Sequence, residues 1–85
     1  MRSNVIYKYK IQIIEYQCIS MPRGAKIIHA GLDPVDEPCV WALIDPDQPA
    51  IERELFIIGT GQSGVKVDNH VGSFIMGRFM WHVFQ

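Results

Sequence analysis

Residues 79–85, Phe-Met-Trp-His-Val-Phe-Gln, are the stretch that decides the fold, because almost every position in it is apolar. Successive side chains of a strand point to opposite faces. One face of this strand would carry Phe79, Trp81 and Val83, and the other Met80, His82 and Phe84. A strand that is apolar on both faces has to be covered on both faces. The stretch therefore predicts an interior strand, with another sheet or a second copy of the chain on its second face.

Working outward from this stretch, a period of two dominates the chain. Near the start, tyrosines and isoleucines alternate with lysines and a glutamine, which is typical of a half-buried strand. Residues 39–44 are apolar throughout and predict an interior strand, while residues 25–32 and 52–58 predict two more strands. Proline and glycine clusters at 22–24, 33–38 and 45–49 predict the turns between them. One short helical turn within 49–55 is the only helical alternative.

Strands at short spacing with turns between them indicate an all-β fold. We expect a small antiparallel sandwich or partly open barrel of about six or seven strands, forming a single domain over residues 1–85. A chain of this length buries only about 60–65% of its unfolded surface, so self-association is a plausible source of further stability. The expected homo-oligomer interface consists of Phe79, Trp81, Val83 and Phe84.

Composition and charge exclude several classes of protein. The chain has 48% hydrophobic and 20% charged residues with a net charge of −1, which is typical of a globular domain. No basic run is present, so non-specific nucleic-acid binding is not expected. Lysines interrupt the apolar start, and no apolar run approaches ~18 residues, so we expect neither a signal peptide nor a membrane span. The expected location is the cytoplasm, where Cys18 and Cys39 would be buried thiols.

The glycine-rich segment 59–64, Gly-Thr-Gly-Gln-Ser-Gly, matches G-x-G-x-x-G and follows a predicted strand. A dinucleotide site also needs a following helix and an acidic residue about 20 positions later, and the sequence offers neither. A weaker interpretation survives, in which backbone N–H groups of the segment converge on an anion. The alternative is a plain loop between strands. The ligand-binding residues predicted for the anion site are Gly59, Thr60, Gly61, Arg53, Lys66 and Trp41.

Other reactive side chains favour structural roles. The histidines have no metal-ligand spacing, and we expect His29 and His82 to pack within strands with hydrogen-bond partners. His70 lies in a polar loop, from which it could reach a ligand. The acidic clusters resemble ordinary turns more than a cation site, and Ser73 lacks a nucleophile-elbow context. The sequence therefore predicts a protein that is not an enzyme and uses no metal or cofactor.

Four blocks carry a resemblance to a known group of proteins: residues 24–27 (Gly-Ala-Lys-Ile), 38–46 (Pro-Cys-Val-Trp-Ala-Leu-Ile-Asp-Pro), 56–61 (Phe-Ile-Ile-Gly-Thr-Gly) and 81–84 (Trp-His-Val-Phe). Together they resemble a family of small proteins encoded by phages and prophages, which has no agreed activity. Its members often have histidine after Gly-Thr-Gly, where this chain has Gln62. The resemblance implies an accessory binding protein of a phage, acting in the host cytosol.

Three functions remain open at this stage. The first is an anti-defence protein that sequesters a nucleotide immune signal or blocks a host protein, which is an inference from the phage setting alone. The second is a structural or virion-assembly component that docks through the apolar stretch 79–85. The third and least favoured is a small enzyme, which would need ionisable groups with perturbed pKa values in a cleft.

Overall fold

The computed structural model describes residues 4–63 and 67–85, and the regular elements within them are seven antiparallel strands. They are β1 (Val5–Lys10), β2 (Tyr16–Pro22), β3 (Lys26–Leu32), β4 (Pro38–Ile44), β5 (Ala50–Gly59), β6 (His70–Met76) and β7 (Phe79–Phe84). A three-stranded sheet has the order β1-β4-β3 and a four-stranded sheet the order β2-β5-β7-β6. The all-β expectation is confirmed, and the two sheets do not form a closed barrel. The strand predicted at 52–58 is confirmed as β5, and the helical alternative within 49–55 is not observed, because β5 is extended from Ala50 and pairs with β2 along residues 50–56.

The core lies between the two sheets. In β4, Val40, Ala42 and Ile44 are buried between its two neighbours, as the uninterrupted apolar run predicts. Leu55 and Ile57 of β5 are buried against them from the other sheet. Alternation then fixes the outward residues of each strand, because neighbours of a buried residue in a strand point to the opposite face. The two outward faces have no helix over them in the part of the chain that the structure describes.

The strand β7 is an interior strand, as residues 79–85 predict, and it lies between β5 and β6. Its inner face contributes Val83, which is 0% exposed and belongs to the core. A fully buried side chain cannot form part of a surface, so Val83 drops out of the predicted interface. Phe79 is 61% exposed and Met80 is 40% exposed. Phe79 shares the inner face with Val83 but lies at the hairpin end, whereas Met80 is on the outer face. Within one chain, therefore, the inner face of β7 is covered at Val83 and open at Phe79, and its outer face is open.

The loop between β3 and β4 is organised by one buried carboxylate. Asp33 accepts hydrogen bonds from the backbone N–H groups of Val35 (3.0 Å) and Glu37 (2.9 Å). Its other oxygen lies 2.9 Å from the Lys8 ammonium group, and the side chain is only 1% exposed. The Lys8 hydrogen bond, followed by those from the backbone, lowers the pKa of Asp33 to about 2. The acidic loop thus covers one end of the three-stranded sheet.

Two edge strands carry β-bulges, and these strands face each other. The pairing of β3 with β4 shifts between Ile27 and His29, and that of β6 with β7 shifts between His70 and Gly72. Gly72 lies against the backbone of Ala30, which brings β6 close to β3. Even so, no ladder of hydrogen bonds joins these two strands among the described pairings. Contact at Gly72 and Ala30, without strand pairing, closes this side of the sandwich.

The two cysteines lie in different sheets, and both are free thiols. Cys39 of β4 is buried, as expected, and burial raises its pKa. Cys18 is exposed, which corrects the expectation of a buried thiol. The reason is that β2 is an edge strand and Cys18 points to its outer face, opposite Glu54.

In the described ranges, no helix is long and apolar enough to cross a membrane.

Candidate binding surfaces on the two sheets

The outer face of the three-stranded sheet is centred on Trp41. Since Val40 and Ala42 point into the core, Trp41 points outward from the middle strand. It pairs with Lys8 of β1 on one side and with His29 of β3 on the other, and cross-strand partners share a face. The ring centroids of His29 and Trp41 are 5.4 Å apart. We call this surface, with Lys10 and Lys26, the Trp41 face.

The charges of the Trp41 face are unevenly compensated. Lys8 and Lys10 each form an ion pair of 2.9 Å, with Asp33 and Glu37 respectively. These pairs raise the pKa values of both lysines, mainly through the side-chain hydrogen bonds. Lys26 is exposed and forms no ion pair with any residue that the structure describes. The face therefore presents a half-buried indole ring beside one unpaired and two paired ammonium groups.

The outer face of the four-stranded sheet carries a row of rings that crosses all four strands. The register pairs Tyr16 with Phe56, Phe56 with Phe84, and Phe84 with His70. The rings of Tyr16 and Phe56 are 5.3 Å apart, and those of His70 and Phe84 are 5.2 Å apart. We call this the aromatic row. Because Leu55, Ile57 and Val83 occupy the inner face, the whole row points away from the core.

Beside the aromatic row, hydroxyl and imidazole groups form a hydrogen-bonded chain. Ser73 Oγ lies 2.9 Å from His70 Nε2 and 2.7 Å from His82 Nδ1. The other nitrogen of His82, Nε2, lies 2.8 Å from Thr60 Oγ1, whose hydroxyl donates to the Met80 carbonyl oxygen at 3.4 Å. With both imidazoles neutral, one direction satisfies every member: His70 Nε2–H to Ser73, Ser73 O–H to His82, and His82 Nε2–H to Thr60. The expectation that His82 packs in a strand with hydrogen-bond partners is confirmed.

The bulge in β6 makes this chain possible. Residues three apart in a regular strand point to opposite faces, which would separate His70 from Ser73. The extra residue at Val71 brings both side chains to the outer face, opposite Phe84 and His82. The sequence does not predict this group, because the spacing of His70 and Ser73 gives no sign of a bulge. His29 is likewise placed by a bulge, and it is exposed on the Trp41 face instead of buried.

The β2 side of the four-stranded face ends in acidic groups. Tyr16 donates its hydroxyl to Glu54 at 2.8 Å and lies 3.2 Å from Cys18 Sγ. These two contacts raise the pKa of Tyr16. Next to them is an open cleft of about 340 Å³, which lies beyond the end of β7. Its lining consists of Glu52, Arg53, Glu54, Asn69 and Gln85.

The structure does not bring the predicted ligand-binding residues together. Gly59 ends β5, and its N–H donates to the Gln62 side chain, while the Thr60 N–H donates to the Met80 carbonyl oxygen. These amides are therefore already occupied. Arg53 lies six residues earlier on the same strand, about 20 Å away at ~3.3 Å per residue.

The remaining predicted ligand residues are equally scattered. The Arg53 guanidinium group donates to the Ala25 carbonyl oxygen at 2.6 Å and to Gln85 Oε1 at 3.0 Å. Trp41 lies in the other sheet. Lys66 lies outside the described residues. Gln62, which follows Gly-Thr-Gly, closes the turn after β5.

Of the predicted interface residues, Phe79 and Phe84 reach opposite faces of β7. Phe84 belongs to the outer aromatic row, and Phe79 lies at the open hairpin end beside Trp81, with ring centroids 6.0 Å apart. Trp81 is half-buried and covers Gly59, where a Cβ atom would lie 3.1 Å from its ring. A single flat interface therefore cannot contain all four predicted residues.

The fold and these surfaces define a small two-sheet β domain whose sheet faces are open to a binding partner. The chain belongs to the family described as a domain of unknown function, DUF7352, whose model matches residues 2–85. It matches no curated protein and no solved structure. The family description carries no activity, so the phage setting and the anti-defence role remain predictions.

Proposed function

We propose that this chain is a non-catalytic binding protein that takes a small anionic ligand with a planar ring, a nucleotide, on the Trp41 face. The observation that carries the proposal is the position of Trp41 between Lys8 and His29 on neighbouring strands. In this proposal the glycine-rich segment does not form the binding site, because the backbone N–H groups of Gly59 and Thr60 already donate within the protein.

The chemistry of the Trp41 face suits such a ligand. A base stacked on an aromatic side chain gains about 1–3 kcal/mol, and every base has a π-face that can stack. Ammonium groups bind phosphate as point charges on flexible stems. Lys26 forms no ion pair with a described residue, so it can turn to a phosphate without losing a partner. Lys8 and Lys10 add positive charge beside it.

A binding role is favoured over catalysis by the surroundings of the reactive groups. Ser73 and His70 are exposed on an open sheet face. Catalytic groups act in sites that exclude water and hold donors for developing charge. In the phage setting that the sequence resemblance implies, a nucleotide held on the Trp41 face would be sequestered from a host defence system in the cytosol.

The proposal is tested with a panel of cyclic nucleotides and ADP-ribose derivatives, by thermal shift and by titration calorimetry. A binder at 100 times its dissociation constant adds about 2.7 kcal/mol to the stability of the folded state, which raises the midpoint of melting by several degrees. If no member of the panel shifts the midpoint of the folded protein, the proposal is wrong.

Two variants that each remove one positive charge provide a matched comparison. We expect Lys26→Gln to weaken binding about threefold or more, through loss of one exposed ammonium–phosphate contact. Arg78→Gln removes the same charge at the tip of the β6–β7 hairpin, away from the Trp41 face, and should leave the affinity unchanged. Equal losses from the two variants would place the ligand elsewhere.

A further inference from the structure

The outer face of the four-stranded sheet has charged groups of opposite sign at its two ends. Glu52 and Glu54 lie at the end that carries the cleft. Arg78 lies at the other end, at the exposed tip of the β6–β7 hairpin, and forms no ion pair with any described residue. Between them lie the aromatic row and apolar side chains, including Met80 and Ile75, which is 62% exposed.

The strand register makes this arrangement symmetric about one residue pair. Ile58 pairs with His82, so this pair marks one level of the face. Glu54 precedes Ile58 by four residues along β5, and Arg78 precedes His82 by four residues along the antiparallel β7. The two charged groups therefore lie about 13 Å to either side of the Ile58–His82 pair, at ~3.3 Å per residue.

We propose that this face is the docking surface for a second copy of the chain, with Arg78 of each copy entering the cleft of the other. A two-fold axis through the Ile58–His82 level, lying between the copies and perpendicular to the strands, brings each Arg78 over Glu54 of the second copy. An interface of this kind uses the same patch twice, so it must be self-complementary, and this patch is. Stacked sheets are ~10 Å apart, a distance that the aromatic row and an extended arginine can bridge.

The cleft offers the groups that a guanidinium needs. The Glu52 side chain has no hydrogen bond or ion pair with a described residue, and Glu54 uses one oxygen to accept from Tyr16. Carboxylates bind arginine through parallel N–H···O bonds, which fix direction as well as charge. Asn69 also lines the cleft. Arg53 also lines the cleft, but its guanidinium group donates to Ala25 and Gln85, and the two carboxylates outnumber it.

The area is sufficient for a specific contact. Four strands at ~4.8 Å and about eight residues at ~3.3 Å give a face of roughly 500 Å² per copy. Two copies would then bury about 1,000 Å², which is near the lower limit for a specific interface. A cation and a carboxylate pair at each end would add orientation to an otherwise apolar contact.

Sedimentation velocity over a range of protein concentrations tests the proposal, with folding checked by circular dichroism. We expect a monomer–dimer equilibrium that Arg78→Glu weakens about tenfold, because a two-fold interface loses each pair twice and gains two repulsions. Glu54→Arg should weaken it similarly, and the double variant Arg78→Glu, Glu54→Arg should restore it to within about threefold. Met80→Glu, at an exposed position near the centre, should abolish it.

The reciprocal rescue separates the proposed contact from a general effect of charge. Lys26→Glu makes the same charge reversal on the Trp41 face and should leave the dimer intact. The proposal is overturned if the wild-type chain is monomeric at 100 times the concentration used for binding studies. It is equally overturned if a dimer forms that Arg78→Glu does not weaken, or that the double variant does not restore.

Discussion

Gly72 and Ala30 meet where β6 passes β3, so closely that a Cβ atom on Gly72 would lie 3.1 Å from the Ala30 carbonyl oxygen and 3.2 Å from its nitrogen. Side chains in proteins rarely approach a backbone atom so closely. Ala30 is buried in the core, so neither strand can move without opening the space between the sheets. The absence of a side chain at position 72 is therefore a condition for closing this side of the sandwich.

Gly72→Ala should lower the free energy of unfolding by about 1–3 kcal/mol, as overpacking does in a close-packed interior. Urea denaturation measures the loss. Gly31→Ala is the matched control, because its new Cβ would meet only the imidazole ring of His29, which is exposed and can move. A Gly72→Ala variant as stable as wild type would show that β3 and β6 are not in contact.

Asp33→Asn should destabilise the fold, and the size of the loss should depend on pH. The pKa of Asp33 is lowered from 3.8 to about 2 by the Lys8 hydrogen bond and the loop N–H groups. Folding therefore favours the carboxylate, and this stabilisation is fully present above pH 3.8 and is lost as the pH falls through about 2. The Asp33→Asn variant has no ionisable group at this position, so its stability lacks this dependence on pH.

Urea denaturation at pH 5, 3.5 and 2 tests the role of Asp33. The difference in unfolding free energy between wild type and Asp33→Asn should shrink as the pH is lowered. Asp47→Asn, at an exposed turn position, controls for the removal of a carboxylate from the surface. A difference that stays constant across this range would contradict the buried ion pair.

Removal of residues 81–85 should prevent folding. The deletion removes Val83 from the core and leaves β5 without its partner β7. It also leaves β6 without the strand that pairs with it in the described part of the chain. Circular dichroism and a thermal melt measure the outcome. A shortened chain that melts cooperatively would show that the first five strands suffice.

Point variants along β7 should separate its two environments. Val83→Ala should cost about 1–3 kcal/mol, because it leaves a cavity in the core, whereas Phe79→Ala should cost less than ~1 kcal/mol at its exposed position. Equal losses at the two positions would contradict the difference in burial between Val83 in the core and Phe79 at the hairpin end of the same face.

The hydrogen-bonded chain of side chains through Ser73 predicts which ring nitrogen carries the hydrogen in neutral His70 and in neutral His82. Its direction requires the hydrogen of neutral His70 and of neutral His82 to be on Nε2, with His82 Nδ1 accepting from the Ser73 hydroxyl. Nitrogen chemical shifts of the histidine rings at pH above 8 report the tautomers directly. Ser73→Ala should leave the fold intact and release the preference of His82, while His29 serves as an unaffected reference. A His82 ring that carries its proton on Nδ1 would contradict the chain.

The sequence correctly predicts those strands whose local pattern agrees with their position in the sheet. The uninterrupted apolar run of β4 and the apolar face of β7 both predicted interior strands. The strand predicted at 52–58 begins earlier, at Ala50, because pairing with β2 along residues 50–56 outweighs a weak local preference for a helical turn. Both bulges escaped prediction, since a bulge depends on what the neighbouring strand offers and leaves no regular mark in the sequence.

The same limit applies to the candidate surfaces. Trp41 is a predicted ligand residue because aromatic rings suit stacking, and this prediction needs only the residue type. Its neighbours Lys8 and His29 come from strands on either side, and only the register of those strands reveals them. Arg53 was selected for its charge, but two acceptors within the protein already use it.

The unpaired contact between β3 and β6 has a consequence for how the molecule opens. Neighbouring strands within each sheet are joined by backbone hydrogen bonds, and breaking them requires cooperative unfolding. At Gly72 and Ala30 the two sheets are held together by packing alone, so they can separate there while the hydrogen bonds within each sheet stay intact. An opening of this kind would expose the facing sides of β3 and β6 to water, so their buried amides should exchange with solvent at a free energy below that of global unfolding.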